Sequence, residues 1–254
     1  SQGCYHAMEK AYGRESDELS RIAKLQQRGL QLAKQIITVT GRVKEELINI
    51  YGLNADKISL VSNRVDTDYF KPLPKTETAF KTVLYAGRLE DGKGLSVIKK
   101  LAEVIEENEN WKLLIACNNS GNTQLFKELK HTEIKIGLQL ANINEEAYSK
   151  ADIVIFPSLY ESFGMVTIEA LSACVPVIGT PVGIIPELAK RKFPGVYVLE
   201  PFSDSDILIV FDNIIKEFKN IDRNNLHEMV KEEYGIASYR KRLDEAMGGR
   251  LKLK

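Results

Sequence analysis

Apolar positions along this chain fall into two alternating rhythms. Over "DELSRIAKLQQRGLQLAKQ" they recur at helical spacing and put Leu19, Ile22, Leu30 and Ala33 on one face. "IITVT" (36–40) then reads as a short β-branched strand, "RVKEELINIYGL" as a helix stopped near Gly52, and "KISLVSN" (57–63) as a second strand. "RVDTDYFKPLPKTETAF" carries two prolines and no period, which predicts a linker. A second series follows, with strand-like runs at 81–87, 111–117, 133–137, 152–158, 175–180 and 195–200. Helical stretches lie between most of them, at 94–107, 122–130, 143–150, 164–173 and 184–191. Two more helices are predicted at 204–219 and 222–233, then "ASYRKRLDEAM" and a tail, "GGRLKLK", expected to fray. Several of the later strands are apolar on both faces, as they must be when helices cover both sides of a parallel sheet. The alternation predicts an α/β fold with a Rossmann-like, doubly wound parallel sheet. Ligands of such sheets bind beyond the carboxyl ends of the strands, so the loops after 86, 117, 137, 157 and 180 are the ones to inspect.

Composition narrows the picture. Of 254 residues, 44% are hydrophobic, enough for a sizeable core. Lys plus Arg and Asp plus Glu balance at 35 each, so no overall field points to nucleic acid. Cys4, Cys117 and Cys174 stand far apart, which fits reduced thiols and a cytoplasmic location better than disulfides or a zinc site. No apolar run approaches the roughly 20 residues of a spanning helix. The opening "SQGCYHAMEKAYGRESDE" has no apolar core of the signal-peptide kind and reads as a segment already under way.

Three of the loops carry candidate chemistry. "AGRLEDGKGL" has Gly87, Gly92 and Gly94 for backbone freedom, and Arg88 and Lys93 as cations ahead of a helix. A fork-like guanidinium and a point-charge ammonium suit a diphosphate, although alone the pair reads equally as two solvated cations. "PSLYESFGMVTIEALSA" starts a helix near Gly164, whose first amides, with those of Met165 and Val166, can face an anion. Dipole compensation would explain Glu161 there, but not Glu169, which lies deeper among apolar residues and needs partners such as sugar hydroxyls. "GTPVGIIPEL" reads as a constrained turn into a helix. "DTD" (66–68) and "DSD" (204–206) look like metal-binding pairs, but the first falls in the linker and the second in a helix cap.

Taken together these segments resemble one family. "ITVTGRVKEELINIYGLNADKISLVSNRVDTDYFKP" is similar to the end of the first domain and the linker of the retaining glycosyltransferases of family 4, also called group 1. "VLYAGRLEDGKGL" resembles the opening of their second domain, and "ADIVIFPSLYESFGMVTIEALSACVPVIGTPVG" their nucleotide-sugar site. The resemblance implies a GT-B fold, two Rossmann-like domains facing across a cleft. Here residues 1–75 would be a remnant of the acceptor-side domain with its linker, 76–235 the nucleotide-sugar domain, and 236–254 a C-terminal helix and tail. It also implies transfer of a glycosyl group from a UDP- or GDP-sugar to an acceptor hydroxyl, with no cofactor and no metal. By position, Arg88 and Lys93 would contact the diphosphate, and Glu161 the hydroxyls of the transferred sugar. Backbone amides at Phe163, Gly164, Met165 and Val166 would hold sugar and phosphate oxygens, with Gly87 beside them. Glu169 would take the ribose, and Gly137 and Leu138 would meet the base. His6 is the candidate for a family histidine beside the reacting carbon; a shifted register puts Gln2 there. The acceptor, whether glycan, glycolipid or small molecule, is not specified. A peripheral place at the inner face of the membrane fits such enzymes.

The sequence departs from the pattern in length and in glycines. Most of a first domain has no counterpart here, which leaves two expectations. The chain is a transferase in part, or it is a nucleotide-sugar-binding half that works with a separate acceptor-domain subunit. Arg64, Cys117, Asn118, Cys174 and Ile184 stand near or at positions where the family pattern favours glycine-rich loops, and each adds a side chain where backbone approaches closely.

Overall fold

The computed structural model describes residues 3–13, 17–75, 78–118, 120–137, 142–200 and 206–248. Gln2, Leu138, Asp204 and the tail from 249 lie outside them. The first part comprises α1 (Tyr5–Tyr12), α2 (Asp17–Leu32), β1 (Ile36–Thr38), α3 (Gly41–Tyr51) and β2 (Ile58–Leu60). β1 and β2 pair in parallel as a two-stranded sheet, Ile36 opposite Ile58. Beneath it Val43, Leu47, Tyr51 and Leu53 form a small separate core with Cys4, Ile36 and Ile58. Thr40 starts α3 by accepting the N–H of Val43 (3.3 Å), and Gly52 ends it at φ +66°, as its sequence predicts. The described linker residues between β2 and Lys81 hold no helix or strand.

The second part comprises β3 (Lys81–Ala86), α4 (Leu95–Glu106), β4 (Trp111–Cys117), β5 (Thr132–Ile136), α5 (Ile143–Glu146), β6 (Ile153–Phe156), α6 (Met165–Ser172), β7 (Val177–Gly179), α7 (Ile185–Lys190), β8 (Val196–Val198), α8 (Ile207–Phe218), α9 (Arg223–Tyr234) and α10 (Ile236–Ala246). Six strands pair in parallel in the order β5-β4-β3-β6-β7-β8. Counted from β3, that is the 3-2-1-4-5-6 order of the doubly wound dinucleotide-binding sheet. Alternate strand residues feed two cores. Val83, Tyr85, Leu113, Ile115, Ile153 and Ile155 pack with Ile98, Leu101 and Ile105 of α4 and Phe211 of α8. Leu84, Ala86, Leu114, Val154 and Phe156 face the other way, toward α6, α7 and α9. Each fully buried Ile or Leu in these layers contributes about 1.5–3 kcal/mol.

The elements differ from expectation in three places. Residues 5–12 form a helix closed by Gly13 at φ +60°, where no element was predicted. Instead of a helix over 122–130 there is a 3₁₀ stretch, Gly121–Phe126. Thr123 there bonds its hydroxyl to Ser120 O (2.6 Å), a local bond that competes with helix propagation. Residues 143–150 break into the short α5 and a 3₁₀ turn, Tyr148–Lys150. No helix among the described residues is long and apolar enough to cross a membrane.

Candidate functional site

In the 3-2-1-4-5-6 order the succession of strands across the sheet reverses between the first and the fourth, and the crevice opens at their carboxyl ends. Those strands are β3 and β6, paired through Val83–Ile153 and Leu84–Val154. A cleft of about 470 Å³ lies there. Its walls come from the loop after β3 (Gly87, Arg88, Lys93), the loop after β6 (Ser158, Glu161 to Val166) and Asn118 after β4. Val39 and Asn63 reach it from the first part of the chain. Of the loops singled out from the sequence, those after 86, 117 and 157 reach this cleft. Sequence reasoning overlooked Asn63, Tyr85, Ser158 and Ser162, ordinary residue types whose place only the packing assigns.

Sixty-eight positions apart in sequence, Lys93 and Glu161 meet. Lys93 Nζ donates to Glu161 Oε1 at 2.6 Å, and Ser158 Oγ donates to the same oxygen at 2.9 Å. Both charged side chains are about one-fifth exposed, so the pair is only partly screened. Close approach of the two loops makes this contact possible. Gly94 has φ +81°, and a Cβ built there would stand 2.3 Å from Pro157 O. Arg88 is more exposed and pairs with Glu90 at 3.2 Å at the mouth of the cleft. Its carbonyl accepts Tyr85 Oη at 2.5 Å, which ties the loop to β3. Burial first, and then the nearby charge of Glu161, push the Tyr85 phenol well above its ordinary value, so it stays a donor.

Gly164 opens α6 at φ +83°, against the ring of Phe156. At the start of α6 Gly164, Met165 and Val166 stand at the cleft wall, while the N–H of Thr167 donates to Gly164 O at 3.0 Å. Phe163 is buried, and its carbonyl accepts the N–H of Ile184 at 2.8 Å.

Glu169 sits one turn further along, behind the residues that line the cleft, and the protein supplies one of the partners its position calls for. Tyr148 Oη donates to Glu169 Oε2 at 2.7 Å. Burial raises the Glu169 pKa above the usual carboxylate value, and the Tyr148 bond pulls it back in part. The folded carboxyl thus keeps its proton to higher pH than the unfolded one. Stability owed to the neutral form is full below the unfolded pKa and is lost as pH rises through the folded one. A ligand hydroxyl that donates to Glu169 is held best by the ionised form. Affinity for a ligand with such a hydroxyl is therefore expected to fall as pH drops through the raised Glu169 pKa. Tyr148→Phe should move that midpoint upward. Calorimetric titration across the range checks it, and coincident profiles for the two proteins would remove the ribose role.

Other predicted positions fall elsewhere. Gly137 follows β5 at φ +72° and donates to Cys117 O at 2.8 Å, outside the cleft wall. His6 lies on α1 with its ring 5.4 Å from that of Tyr51, at right angles, in the first part of the chain. It does not line the cleft beside Lys93 and Glu161. The cause is α1 itself, which turns residues 5–12 into a helix packed on α2 and α3. The glycine substitutions are also accommodated. Ile184 has φ −85° and is buried in the main core, because the left-handed turn falls one residue earlier, on Gly183. Cys174 does adopt φ +57°, with its thiol donating to Arg223 O at 2.8 Å. Asp66, of the "DTD" pair, caps a turn by accepting the N–H of Tyr69.

Comparisons with known proteins converge on these same segments. The family described as "Glycosyl transferases group 1" matches residues 66–232, and "Glycosyltransferase Family 4" matches residues 3–69. An uncharacterised glycosyltransferase of Methanocaldococcus jannaschii is 28% identical over 240 residues, 86% of this chain and 61% of that protein. Sucrose-phosphate synthase of Thermosynechococcus elongatus superposes with a TM-score of 0.76 at 18% identity, over 98% of this chain and 66% of that one. An Anabaena protein solved in complex with UDP-glucose superposes with a TM-score of 0.71 at 15% identity, over 92% and 68%. These superpositions place the fold as GT-B-like α/β. The chain spans about half to three-fifths of the length of the curated relatives it matches. The first family description covers more than half of the chain and every cleft residue from Tyr85 to Val166, and the chain belongs to the group 1 glycosyl transferases.

Proposed function

We propose that this chain holds a nucleoside-diphosphate sugar in the cleft between β3 and β6 and takes part in moving the glycosyl group to an acceptor hydroxyl with retention. The observation that carries the reading is the joining of Lys93, Glu161 and the α6 amides around one cleft at the switch point of the sheet. An elongated ligand with a negative middle and a hydroxylated end fits that order. Lys93, Arg88 and the start of α6 would face the diphosphate, and Glu161 would face the sugar. Glu169 would take the ribose through the oxygen that Tyr148 leaves unused. The Anabaena neighbour solved with UDP-glucose supports the ligand class.

In the reaction, the bond from the anomeric carbon to the phosphate oxygen breaks, and its electron pair leaves with the diphosphate. The acceptor oxygen bonds the same face of that carbon, and its proton passes to the departing phosphate oxygen. Lys93, Arg88 and the helix amides stabilise the charge that develops, which is the part of catalysis the residues supply. That arrangement works without a divalent ion, so no metal enters the reading. The acceptor is a hydroxyl of a glycan, a glycolipid or a small molecule, met by acceptor-side elements of the same polypeptide or of a separate subunit. Cys4, Cys117 and Cys174, all buried and outside any disulfide, fit a reducing, cytoplasmic setting, with the inner membrane face as the place of a lipid acceptor.

Calorimetry with UDP, GDP and inorganic pyrophosphate tests the site. One nucleoside diphosphate is expected to bind. Glu169→Ala should weaken it about tenfold, as expected for lost hydrogen bonds to a charged group, and leave pyrophosphate unchanged. No binding of either nucleotide would overturn the reading.

A further inference from the structure

Glu161 is fixed within the donor part by Lys93 and Ser158, but its two sequence neighbours are fixed from the other part of the chain. Tyr160 is 4% exposed. Its Oη donates to Glu46 Oε2 on α3 at 2.9 Å and accepts the N–H of Cys4 at 2.9 Å. The second oxygen of Glu46 accepts Arg42 Nε at 3.0 Å, and Arg42 also donates to Pro181 O at 2.9 Å. On the far side of Glu161, the carbonyl of Ser162 accepts Thr40 Oγ1 at 2.9 Å. Thr40 is fully buried and is the residue that caps α3. Next to it the N–H of Gly41 donates to Glu187 Oε1 at 2.7 Å, at the start of α7.

We propose that Tyr160 and Thr40 are positioning residues for Glu161. By holding residues 160 and 162 against α3, they set where the sugar-reading carboxylate stands relative to Lys93. A three-residue stretch pinned at both ends has few backbone conformations left, and its middle side chain inherits that restriction. Each pin joins a buried hydroxyl, of Tyr160 or Thr40, to a partly buried acceptor, so its loss leaves that group with a poorer partner where water has limited access. Neither Tyr160 nor Thr40 lines the cleft, whereas Ser162 and Glu161 do. Their influence on a ligand must therefore pass through the loop. Tyr160 instead lines a separate cavity of about 480 Å³, shared with Cys4, Met8 and Leu30, whose walls carry no charged side chain. The consequence is a division of labour. The cations and amides that would face the diphosphate come from loops of the six-stranded sheet, while recognition of the sugar depends on the first part of the chain being docked.

The proposal rests on the donor-site reading, which supplies the sugar, so its test has one arm that needs no ligand. Amide hydrogen exchange is measured for residues 160–164 in the free protein with Tyr160→Phe, Thr40→Val and Thr40→Ser. Exchange there should quicken about tenfold in the first two, with α4 unchanged, and stay near the parent rate in Thr40→Ser, which keeps the hydroxyl. In the second arm, UDP affinity should stay within about twofold while UDP-glucose affinity falls about tenfold in the same two variants. Unchanged exchange in both overturns the positioning role whatever binds. Equal losses for UDP and UDP-glucose overturn it too, as would faster exchange spread through α4. If the parent protein binds neither ligand, the donor reading falls and the sugar role of Tyr160 and Thr40 falls with it.

Discussion

Glu161→Ala is expected to separate the two ends of the ligand in one measurement. UDP affinity should hold or rise slightly, while UDP-sugar affinity loses its increment and transfer falls roughly a hundredfold. The direction follows from the ion pair. In the free protein Glu161 Oε1 holds both Lys93 Nζ and Ser158 Oγ. A diphosphate must compete with that carboxylate for the ammonium, so its removal releases Lys93 for the phosphate. The sugar of the proposed ligand would, in contrast, lose a carboxylate acceptor, and each hydrogen bond to a charged group is worth about 1.5–3 kcal/mol. Lys93→Ala should do the reverse and weaken UDP and UDP-sugar alike. Calorimetry with both ligands and a transfer assay on a protein carrying the acceptor-side elements decide it. A loss of UDP affinity in Glu161→Ala equal to that of UDP-sugar would contradict the assignment.

Gly94→Ala should destabilise the fold by roughly 2–4 kcal/mol, lowering the melting temperature by about 5–15 °C. Two costs combine at this residue. Its φ of +81° disfavours any side chain, and the new Cβ would sit 2.3 Å from Pro157 O and 2.7 Å from the proline ring. Neither neighbour is a flexible tip that can swing away. Relief requires the loop after β3 to move off the loop after β6, which also opens the 2.6 Å contact between Lys93 and Glu161. Gly52→Ala is the matched control, since Gly52 has φ +66° with nothing within 4 Å of the added carbon. It should cost only about 1 kcal/mol and leave ligand binding unchanged. Equal melting temperatures for the two variants would show that contact with Pro157 matters little.

Much of this architecture is written locally. The strands 81–86, 111–117 and 153–156 announce themselves as β-branched and apolar runs, and α4 and α8 by their helical spacing. Arg88, Lys93 and Glu161 stand out as charges in loops at strand ends, but each alone reads equally as an ordinary surface charge, and only the family resemblance joins them. The short α1 was not legible, since "YHAMEKAY" has only a weak apolar face and its one strong signal, Gly13, lies after its end. The stretch 121–126 misled for the opposite reason, with helix-forming residues diverted by a serine–threonine turn.

What the sequence determined by itself was the alternation of strand and helix, the loops at the carboxyl ends of the strands, and the charges those loops carry. What only the tertiary structure decided was which charges meet. Lys93 reaches Glu161 because parallel pairing of β3 with β6 brings together loops 68 residues apart. The same holds for Tyr148 on Glu169 and for Glu46 on Tyr160, whose bonds span 21 and 114 positions. Local periodicity reports on neighbours within a turn or a pleat. A site at the switch point of a parallel sheet is assembled from crossovers, and no short-range pattern records which crossover returns beside which.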